Sequence, residues 1–148
     1  MKTFEAIKYG SNLLKENKIF SYILDSEILL SKTLNTSREK ILINLDKKID
    51  SKKISNFYKF IERRSSKEPI AYILKKKEFW SKSFLVDYNT LIPRPETELM
   101  VEKIVKIFKT KNIYVLDIGT GTGCILLSIL SELKNSKGIG IDISSKTI

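Results

Sequence analysis

The sequence has no histidine and only one cysteine, Cys124, among its 148 residues. Without an imidazole, no nucleophile within this chain can be activated by a histidine base. One cysteine excludes an internal disulfide, and no Cys/His cluster is present to bind a metal. The apolar runs are far shorter than the roughly 20 residues that a membrane-spanning helix requires, and no signal-peptide pattern occurs. We therefore expect a cytoplasmic protein that contacts neither a membrane nor a metal.

Arginine is also scarce: 4 arginines accompany 23 lysines, and the net charge is +10. Clustered cations attract nucleic-acid backbones, but these lysines are spread along the chain and form one tight cluster, Lys75-Lys76-Lys77. Abundant Lys, Ile and Asn are typical of AT-rich coding sequences. We interpret the charge as solvated surface and expect no direct nucleic-acid binding; attraction to an RNA-containing or acidic partner is the alternative.

Only six glycines occur, and three of them alternate in one short run between Asp117 and Gly123. An apolar, β-branched stretch precedes this run and another apolar stretch follows it, which predicts a buried strand, a tight turn and a helix. Glycines adopt backbone angles closed to other residues and let a ligand approach the main chain. The third glycine comes one residue too early for the nicotinamide fingerprint, and no Lys-Ser/Thr follows for a P-loop.

A second acidic residue, Asp142, lies 25 residues after Asp117, where the next strand is predicted to end. A carboxylate there can accept hydrogen bonds from both hydroxyls of a ribose. This combination resembles the class I S-adenosylmethionine-dependent methyltransferases. The alternatives are that Asp117 only stabilises the turn by binding its amides, that Asp142 is an ordinary strand-end acid, or that the cofactor is a dinucleotide. Cys124 is interpreted as a small residue that fits the helix start.

Apolar stripes predict a small helical bundle over residues 3–74. Its clearest helix runs from Ser51 to Ser66, and Pro69 starts a last short helix; Ser21 and Ser37 are predicted N-caps. The predicted core faces of the first two helices are formed by large apolar residues: Phe4, Ile7, Leu13 and Leu14, then Ile23, Leu24, Ile28, Leu30 and Leu34.

The pattern changes at Lys75. Two short strands, Phe79-Trp80 and Phe84-Leu85-Val86, separated by Ser81-Lys82-Ser83, predict a hairpin. Pro95 is predicted to start a helix with the face Leu99, Val101, Ile104, Val105 and Phe108. A strand over 113–118, a helix over about 124–134 and a strand over 139–143 then predict the opening βαβ unit of a doubly wound α/β fold.

Five segments occur in a characteristic order: Asp25-Ser26-Glu27-Ile28-Leu29-Leu30, Glu68-Pro69-Ile70-Ala71-Tyr72, Glu78-Phe79-Trp80, Leu91-Ile92-Pro93-Arg94-Pro95-Glu96-Thr97-Glu98 and the glycine run. This series resembles the release factor glutamine methyltransferases (the HemK/PrmC type) over essentially the whole chain. The resemblance implies methylation, by S-adenosylmethionine, of the side-chain amide nitrogen of the glutamine in the Gly-Gly-Gln motif of peptide chain release factors. It also implies a monomer.

The resemblance further implies three segments: a helical release-factor-recognition domain (1–74), a hairpin linker (75–92) and the first part of a Rossmann-like methyltransferase domain (93–148). It assigns cofactor contacts to Gly119, Thr120, Gly121, Thr122, Gly123 and Asp142. One departure is Lys75, where the family commonly has glycine. A second is that the family's catalytic Asn-Pro-Pro-Tyr motif is absent, so no catalytic residue is assigned.

These observations lead us to expect an inactive N-terminal fragment in which residues 112–148 are poorly ordered or aggregation-prone. Two alternatives remain open. A nucleic-acid amino-methyltransferase would suit the basic charge, although the Pro-Arg-Pro-Glu-Thr-Glu segment and the helical N-terminus disfavour it. A non-enzymatic remnant that binds release factor through its helical domain is the other.

Overall fold

The computed structural model describes residues 1–147, which form two compact units; the first is Met1–Leu74 and the second begins at Lys75. The first unit is built from helices, and this confirms the helical N-terminal domain expected from the apolar stripes. They are α1 (Thr3–Glu16), α2 (Tyr22–Leu34), α3 (Arg38–Ile43), α4 (Ser51–Ser65) and α5 (Ile70–Leu74).

The helix starts follow ordinary capping chemistry in two cases and depart from it in a third. The hydroxyl of Ser37 accepts a hydrogen bond from Lys40 N, and Asp50 accepts one from Lys52 N at 2.9 Å. Such caps satisfy amides that have no partner inside the helix. Ser21 precedes α2 as predicted, but its hydroxyl caps no amide and donates to Asp25 Oδ2 at 2.9 Å.

The predicted core face of α1 is only partly right. Phe4 is 43% exposed, whereas the buried residues of α1 include Ala6, Gly10 and Ser11 besides the predicted Leu14. Small residues serve here because α2 and α4 pack so closely on α1 that a Cβ built on Gly10 would lie 2.5 to 2.9 Å from their side chains. Size, more than hydrophobicity, decides which face of α1 is buried.

The prediction for α2 is wrong at its first turn for a different reason. Ile23 and Leu24 are 50% and 43% exposed, while the neighbouring acids Asp25 and Glu27 are buried. Each acid has an arginine partner: Arg64 Nε lies 2.7 Å from Asp25 Oδ2, and Arg38 Nε lies 2.6 Å from Glu27 Oε2. Pairing makes burial of these charges possible.

In the second unit, β1 (Lys76–Phe79) and β2 (Lys82–Leu85) pair antiparallel around a two-residue turn. The predicted strand bounds are therefore wrong, because Trp80 lies in the turn and Lys82 and Ser83 lie in β2. Trp80 and Ser81 both have positive φ, 50° and 54°, as in the turns that match the twist of a hairpin. Glu98 Oε1 accepts from Trp80 N, and the indole Nε1 donates to Glu132, both at 2.8 Å. These contacts hold a bulky residue in a position that glycine or asparagine usually fills.

The rest of the second unit follows the predicted order. A 3-10 turn (Pro95–Thr97) leads into α6 (Glu98–Phe108), followed by β3 (Tyr114–Ile118), α7 (Cys124–Glu132) and β4 (Lys137–Ile141). β3 and β4 pair in parallel, with Asp117 opposite Gly140. β4 begins two residues earlier than predicted and ends at Ile141, so Asp142 follows the strand directly. On α6, Leu99 is 62% exposed, contrary to the predicted apolar face.

The core of the second unit joins the hairpin to the α/β elements. Phe79 and Phe84 of the hairpin pack with Val101 of α6 and with Cys124 and Ile129 of α7. The two rings meet edge to face, with centroids 6.3 Å apart, a favourable arrangement. The hairpin is thereby anchored to the elements that carry the glycine loop.

One face of the β3–β4 sheet packs against α7, and the other is exposed. The exposed face consists of large apolar side chains: Tyr114, Leu116, Ile118, Ile139 and Ile141. Contiguous exposed apolar surface of this kind favours association. Among helices within residues 1–147, none has the length and hydropathy to cross a bilayer.

Candidate cofactor-binding site

The glycine loop connects the end of β3 to the start of α7 and is held by main-chain hydrogen bonds. The amides of Gly119 and Thr120 both donate to Ile141 O, at 2.8 and 3.0 Å, which ties the loop to the end of β4. Gly123 N donates to Thr120 O at 2.8 Å and closes the turn before α7 begins. The loop is thus fixed between two parallel strands and a helix N-terminus.

All three glycines have left-handed backbone angles: φ is +77° at Gly119, +54° at Gly121 and +72° at Gly123. For residues with a Cβ, this backbone conformation costs about 1–2 kcal/mol of conformational energy. At Gly119 and Gly121 a Cβ would meet nothing within 4 Å. Glycine is therefore required there by the backbone angle, and the main chain at both positions stays open to an approaching molecule.

The Thr120 side chain contacts the two strands that flank the loop. Its hydroxyl donates to Asp117 Oδ2 at 2.9 Å, and its side chain lies over Gly140 of β4, where a Cβ would come within 2.7 Å of Thr120 Oγ1. Asp117 therefore binds a hydroxyl of the turn instead of its amides. As Gly140 does for Thr120, Gly138 leaves room for a side chain of α7, because a Cβ there would lie 2.5 Å from Leu126 Cδ1.

Sequence reasoning did not single out Gly138 or Gly140. The available signal was their alternation with isoleucine in β4, Gly138-Ile139-Gly140-Ile141, which places both glycines on one face of the strand. Glycine within a strand often marks a close approach of another segment, and both positions follow that rule here.

Asp142 is brought to the glycine loop from 21 residues further along the chain. Its Oδ2 accepts from Gly121 N at 2.9 Å, and its Oδ1 accepts from Ser144 N at 3.0 Å. These two amide bonds, that of Ser144 first, lower the pKa of the Asp142 carboxyl below its ordinary value. The carboxylate is thus ionised at neutral pH, and each oxygen keeps a further lone pair for another donor.

The predicted site residues Gly119, Thr120, Gly121, Thr122, Gly123 and Asp142 all lie in or beside this loop. A cavity of about 480 Å³ is lined by Ile118, Gly119, Ile141, Asp142 and Ile143. Thr122 lines a different cavity of the same unit, of about 570 Å³, together with hairpin residues such as Phe84 and Val86. Residues of the loop therefore line two separate cavities.

Cys124 begins α7 and is buried in the core. Burial raises the pKa of its thiol, so the thiol stays protonated and is a poor nucleophile. This supports its interpretation as a small residue that fits the helix start. Across residues 1–147, three or more His, Cys, Asp or Glu side chains nowhere come together as a metal site would need.

The residues present fit a nucleoside-containing cofactor. Two glycine positions leave the main chain open, an ionised carboxylate stands at the end of β4 with lone pairs free for hydroxyl groups, and apolar Ile118 and Ile143 flank the same cavity. Small-molecule sites commonly combine an apolar lining with a few such polar groups.

Comparison with known proteins gives matches over both units. The family model of the PrmC N-terminal domain matches residues 5–74. A release factor glutamine methyltransferase of Buchnera aphidicola subsp. Baizongia pistaciae is 43% identical over 149 aligned residues, which cover 100% of this chain and 53% of that protein. The counterpart from Buchnera aphidicola subsp. Schizaphis graminum is 46% identical over 81% of this chain and 44% of its own length.

A protein named bifunctional methyltransferase, from Rickettsia prowazekii, is 36% identical over 84% of this chain and 28% of its own length. The chain spans about half the length of the release factor glutamine methyltransferases that it matches. With a PrmC N-terminal domain at residues 5–74 and these similarities over most or all of its length, the chain belongs to the release factor glutamine methyltransferase family.

Proposed function

We propose that this chain serves the transfer of a methyl group from S-adenosylmethionine to the side-chain amide nitrogen of a release factor glutamine, in the Gly-Gly-Gln motif. The observation that carries the proposal is the 43% identity to a release factor glutamine methyltransferase across the whole chain. That alignment includes the helical domain, the hairpin and the glycine loop together. A match confined to the loop would support only a methyltransferase of unspecified substrate.

In this proposal, the second unit is the beginning of a Rossmann-like class I methyltransferase domain. The parallel β3–α7–β4 unit supports it, with a glycine loop and an acid at the two strand ends, where open α/β sheets bind their ligands. S-adenosylmethionine supplies an electrophilic methyl group on a sulfonium sulfur. The chain's own residues bind and orient: the open main chain at Gly119 and Gly121 admits the cofactor, with Thr120, Thr122 and Gly123 completing the loop.

Asp142 is proposed to accept hydrogen bonds from the ribose hydroxyls. Its carboxylate is already oriented by the amides of Gly121 and Ser144, so little conformational entropy is lost when a ligand binds. The lowered pKa of Asp142 keeps it a hydrogen-bond acceptor at neutral pH.

The glutamine amide is a weak nucleophile because its lone pair is delocalised into the carbonyl, so it needs precise positioning. The Asn-Pro-Pro-Tyr motif that the family resemblance assigns to this task does not occur in residues 1–148. We propose that residues 1–148 by themselves bind cofactor and release factor without transferring methyl. A cytoplasmic monomer that uses residues 1–74 to recognise release factor completes the proposal.

A titration of isotopically labelled residues 1–148 with S-adenosylmethionine, followed by NMR, tests the cofactor site. We expect amide shifts at Gly119, Gly121 and Gly123, lost in Asp142→Ala and kept in the matched surface variant Asp46→Ala of the helical domain. Saturable shifts confined to residues 1–74 would contradict the assignment.

The substrate is tested separately by capture on immobilised release factor, with and without residues 1–74, and by transfer of labelled methyl. Retention of residues 1–148, lost when 1–74 are removed, supports the proposal. Labelling of DNA or RNA, but not of release factor, would instead favour the nucleic-acid amino-methyltransferase.

A further inference from the structure

A concave pocket of the helical unit carries a cluster of positive charge that the proposed function does not use. It has a volume of about 450 Å³ and is lined by the end of α2, by α3 and by the loop into α4. Four lysines surround it: Lys40, Lys47, Lys48 and Lys53. Ligand pockets are commonly about 300–1,000 Å³ in volume, so the space admits a small polar molecule or a short stretch of a polymer.

Within the described residues, the four ammonium groups have no acidic partner. Throughout residues 1–147, the only lysine with a carboxylate within 4.0 Å is Lys2, which binds Asp46 Oδ1 at 2.9 Å. The single acid in the pocket wall, Asp50, is engaged as the N-cap of α4 through Lys52 N. The pocket therefore carries a net positive charge, which its concave walls concentrate.

The loop that carries two of these lysines is fixed by the first residues of the chain. Thr3 N donates to Lys47 O, Phe4 N to Leu45 O and Ile49 N to Met1 O, each at 3.0 Å. The hydroxyl of Thr3 also donates to Lys47 O, at 3.1 Å. A backbone held in this way fixes where Lys47 and Lys48 leave the main chain, so only their side chains remain to be ordered when an anion binds.

The remaining lining residues supply neutral hydrogen-bond donors and some apolar surface. Asn35, Thr36 and Asn44 contribute amide and hydroxyl groups, and the lining residue Ile41 is buried. The Asn44 side-chain amide already donates to Lys40 O at 2.7 Å and keeps one further N–H for a ligand. Among the residues that the structure describes, no aromatic side chain lines the pocket, so it offers no surface on which a base could stack. Acidic peptides are also recognised by clusters of cationic side chains, so the experiment below includes an acidic polypeptide to separate them from phosphates.

We propose that this pocket binds phosphate oxyanions through the lysines at 40, 47, 48 and 53, with Asn35, Thr36 and Asn44 as neutral donors. Two sources share this chemistry: a free phosphorylated small molecule and the backbone of single-stranded RNA. Binding to RNA would be independent of sequence, because phosphate contacts carry no base information.

The test compares two variants of residues 1–148 that each remove four positive charges. The pocket variant is Lys40→Gln, Lys47→Gln, Lys48→Gln and Lys53→Gln. The control changes four lysines of the same unit that lie outside the pocket: Lys8→Gln, Lys32→Gln, Lys52→Gln and Lys59→Gln. Thermal melting checks that both are folded.

Affinity is measured for inorganic pyrophosphate, for a fluorescent 20-nucleotide single-stranded RNA and for polyglutamate. We expect at least about a tenfold loss of phosphate or RNA affinity in the pocket variant and less than about threefold in the control. If all four lysines contact RNA phosphates, the slope of log K against log salt should fall in magnitude by about 2.8, since each contact on a single strand contributes about 0.7.

If pyrophosphate binds and competes with RNA, a free phosphate compound is one ligand of the pocket. If RNA binds and pyrophosphate does not, the ligand is the polymer backbone. Equal losses in the two variants would overturn the proposal, because general charge would then explain the binding. Tighter binding of polyglutamate than of either phosphate probe would also overturn it. If the pocket variant does not fold, the unaltered chain is titrated with pyrophosphate and followed by NMR. The side-chain amide signals of Asn35 and Asn44 should then shift, and signals that do not move would refute the site.

Discussion

Gly10 is the position where the packing of the helical unit leaves no room for a methyl group. A Cβ built there would lie 2.5 Å from Ser26 Oγ, 2.8 Å from Ile61 Cδ1 and 2.9 Å from Phe57 Cζ. These atoms belong to α2 and α4, so the methyl of Gly10→Ala cannot be accommodated by moving one flexible side chain. We predict that this substitution destabilises the helical unit although it improves helix propensity.

Three contributions decide the sign. Replacing glycine by alanine within a helix stabilises by about 1 kcal/mol. Overpacking a filled core costs about 1–3 kcal/mol. Ser26 Oγ also donates to Ile7 O at 3.0 Å, and displacing it leaves a buried polar group unsatisfied, at about 1 kcal/mol or more. The net expectation is a loss of about 2 kcal/mol, which corresponds to roughly 10 °C in the melting temperature of a domain of this size.

The assay is urea and thermal unfolding of residues 1–148, followed by far-UV circular dichroism, a signal to which the helical unit contributes most. Asn12→Ala, on the exposed side of α1, is the matched control and should be neutral or slightly stabilising, because alanine has the higher helix propensity. The double variant Gly10→Ala, Ser26→Ala should recover part of the loss, because it removes the nearest contact. A Gly10→Ala protein that melts at or above the unaltered chain would refute the packing argument.

Three further predictions follow from named contacts. Asp25→Asn leaves the largely buried guanidinium of Arg64 without its carboxylate and should cost about 3 kcal/mol or more, measured by urea unfolding. Gly140→Ala should push the glycine loop away from β4 and change the amide shifts of residues 119–123 without unfolding residues 1–74. The pKa of Asp142 in the folded chain is lowered from 3.8, so its hydrogen bond from Gly121 N is fully formed above pH 3.8 and is lost as the pH falls through the lowered pKa. The Gly121 amide shift should therefore titrate below pH 3.8, and it should not titrate in Asp142→Asn.

The order of helices and strands could be predicted because it depends on local periodicity and punctuation. Proline at 69 and 95, serine at 37 and the glycine run all mark boundaries through backbone chemistry that acts within a few residues. The buried face of α1 and the charged turn of α2 could not be predicted in this way. Their burial depends on Gly10 meeting Phe57 and on Asp25 meeting Arg64, partners 47 and 39 residues away in sequence.

The turn of the hairpin also depends on contacts with residues distant in sequence. Hydrophobic character assigns Trp80 to a strand, but two tertiary hydrogen bonds, to Glu98 and Glu132, hold it in the turn. In the candidate site, the glycine spacing predicted the loop, and the acid 25 residues after Asp117 predicted that Asp142 lies at the end of the next strand. The pairing of Asp142 with Gly121 and of Asp117 with Thr120 required the three-dimensional structure, because a sequence does not specify which lone pair meets which donor.

The exposed face of the β3–β4 sheet allows a decisive test of the expected aggregation of residues 112–148. Leu116 is 60% and Ile139 66% exposed, and they lie opposite each other in the parallel register. Leu116→Thr with Ile139→Thr places a β-branched residue suited to a strand at both positions and reduces the exposed apolar surface. It should lower self-association seen by sedimentation velocity and leave the melting temperature nearly unchanged. Leu85→Thr is the control, at a strand position of the hairpin that is even more exposed, 82%. Self-association that persists in the double variant and falls in the control would place the associating surface on the hairpin, and the sheet face would then have no part in it.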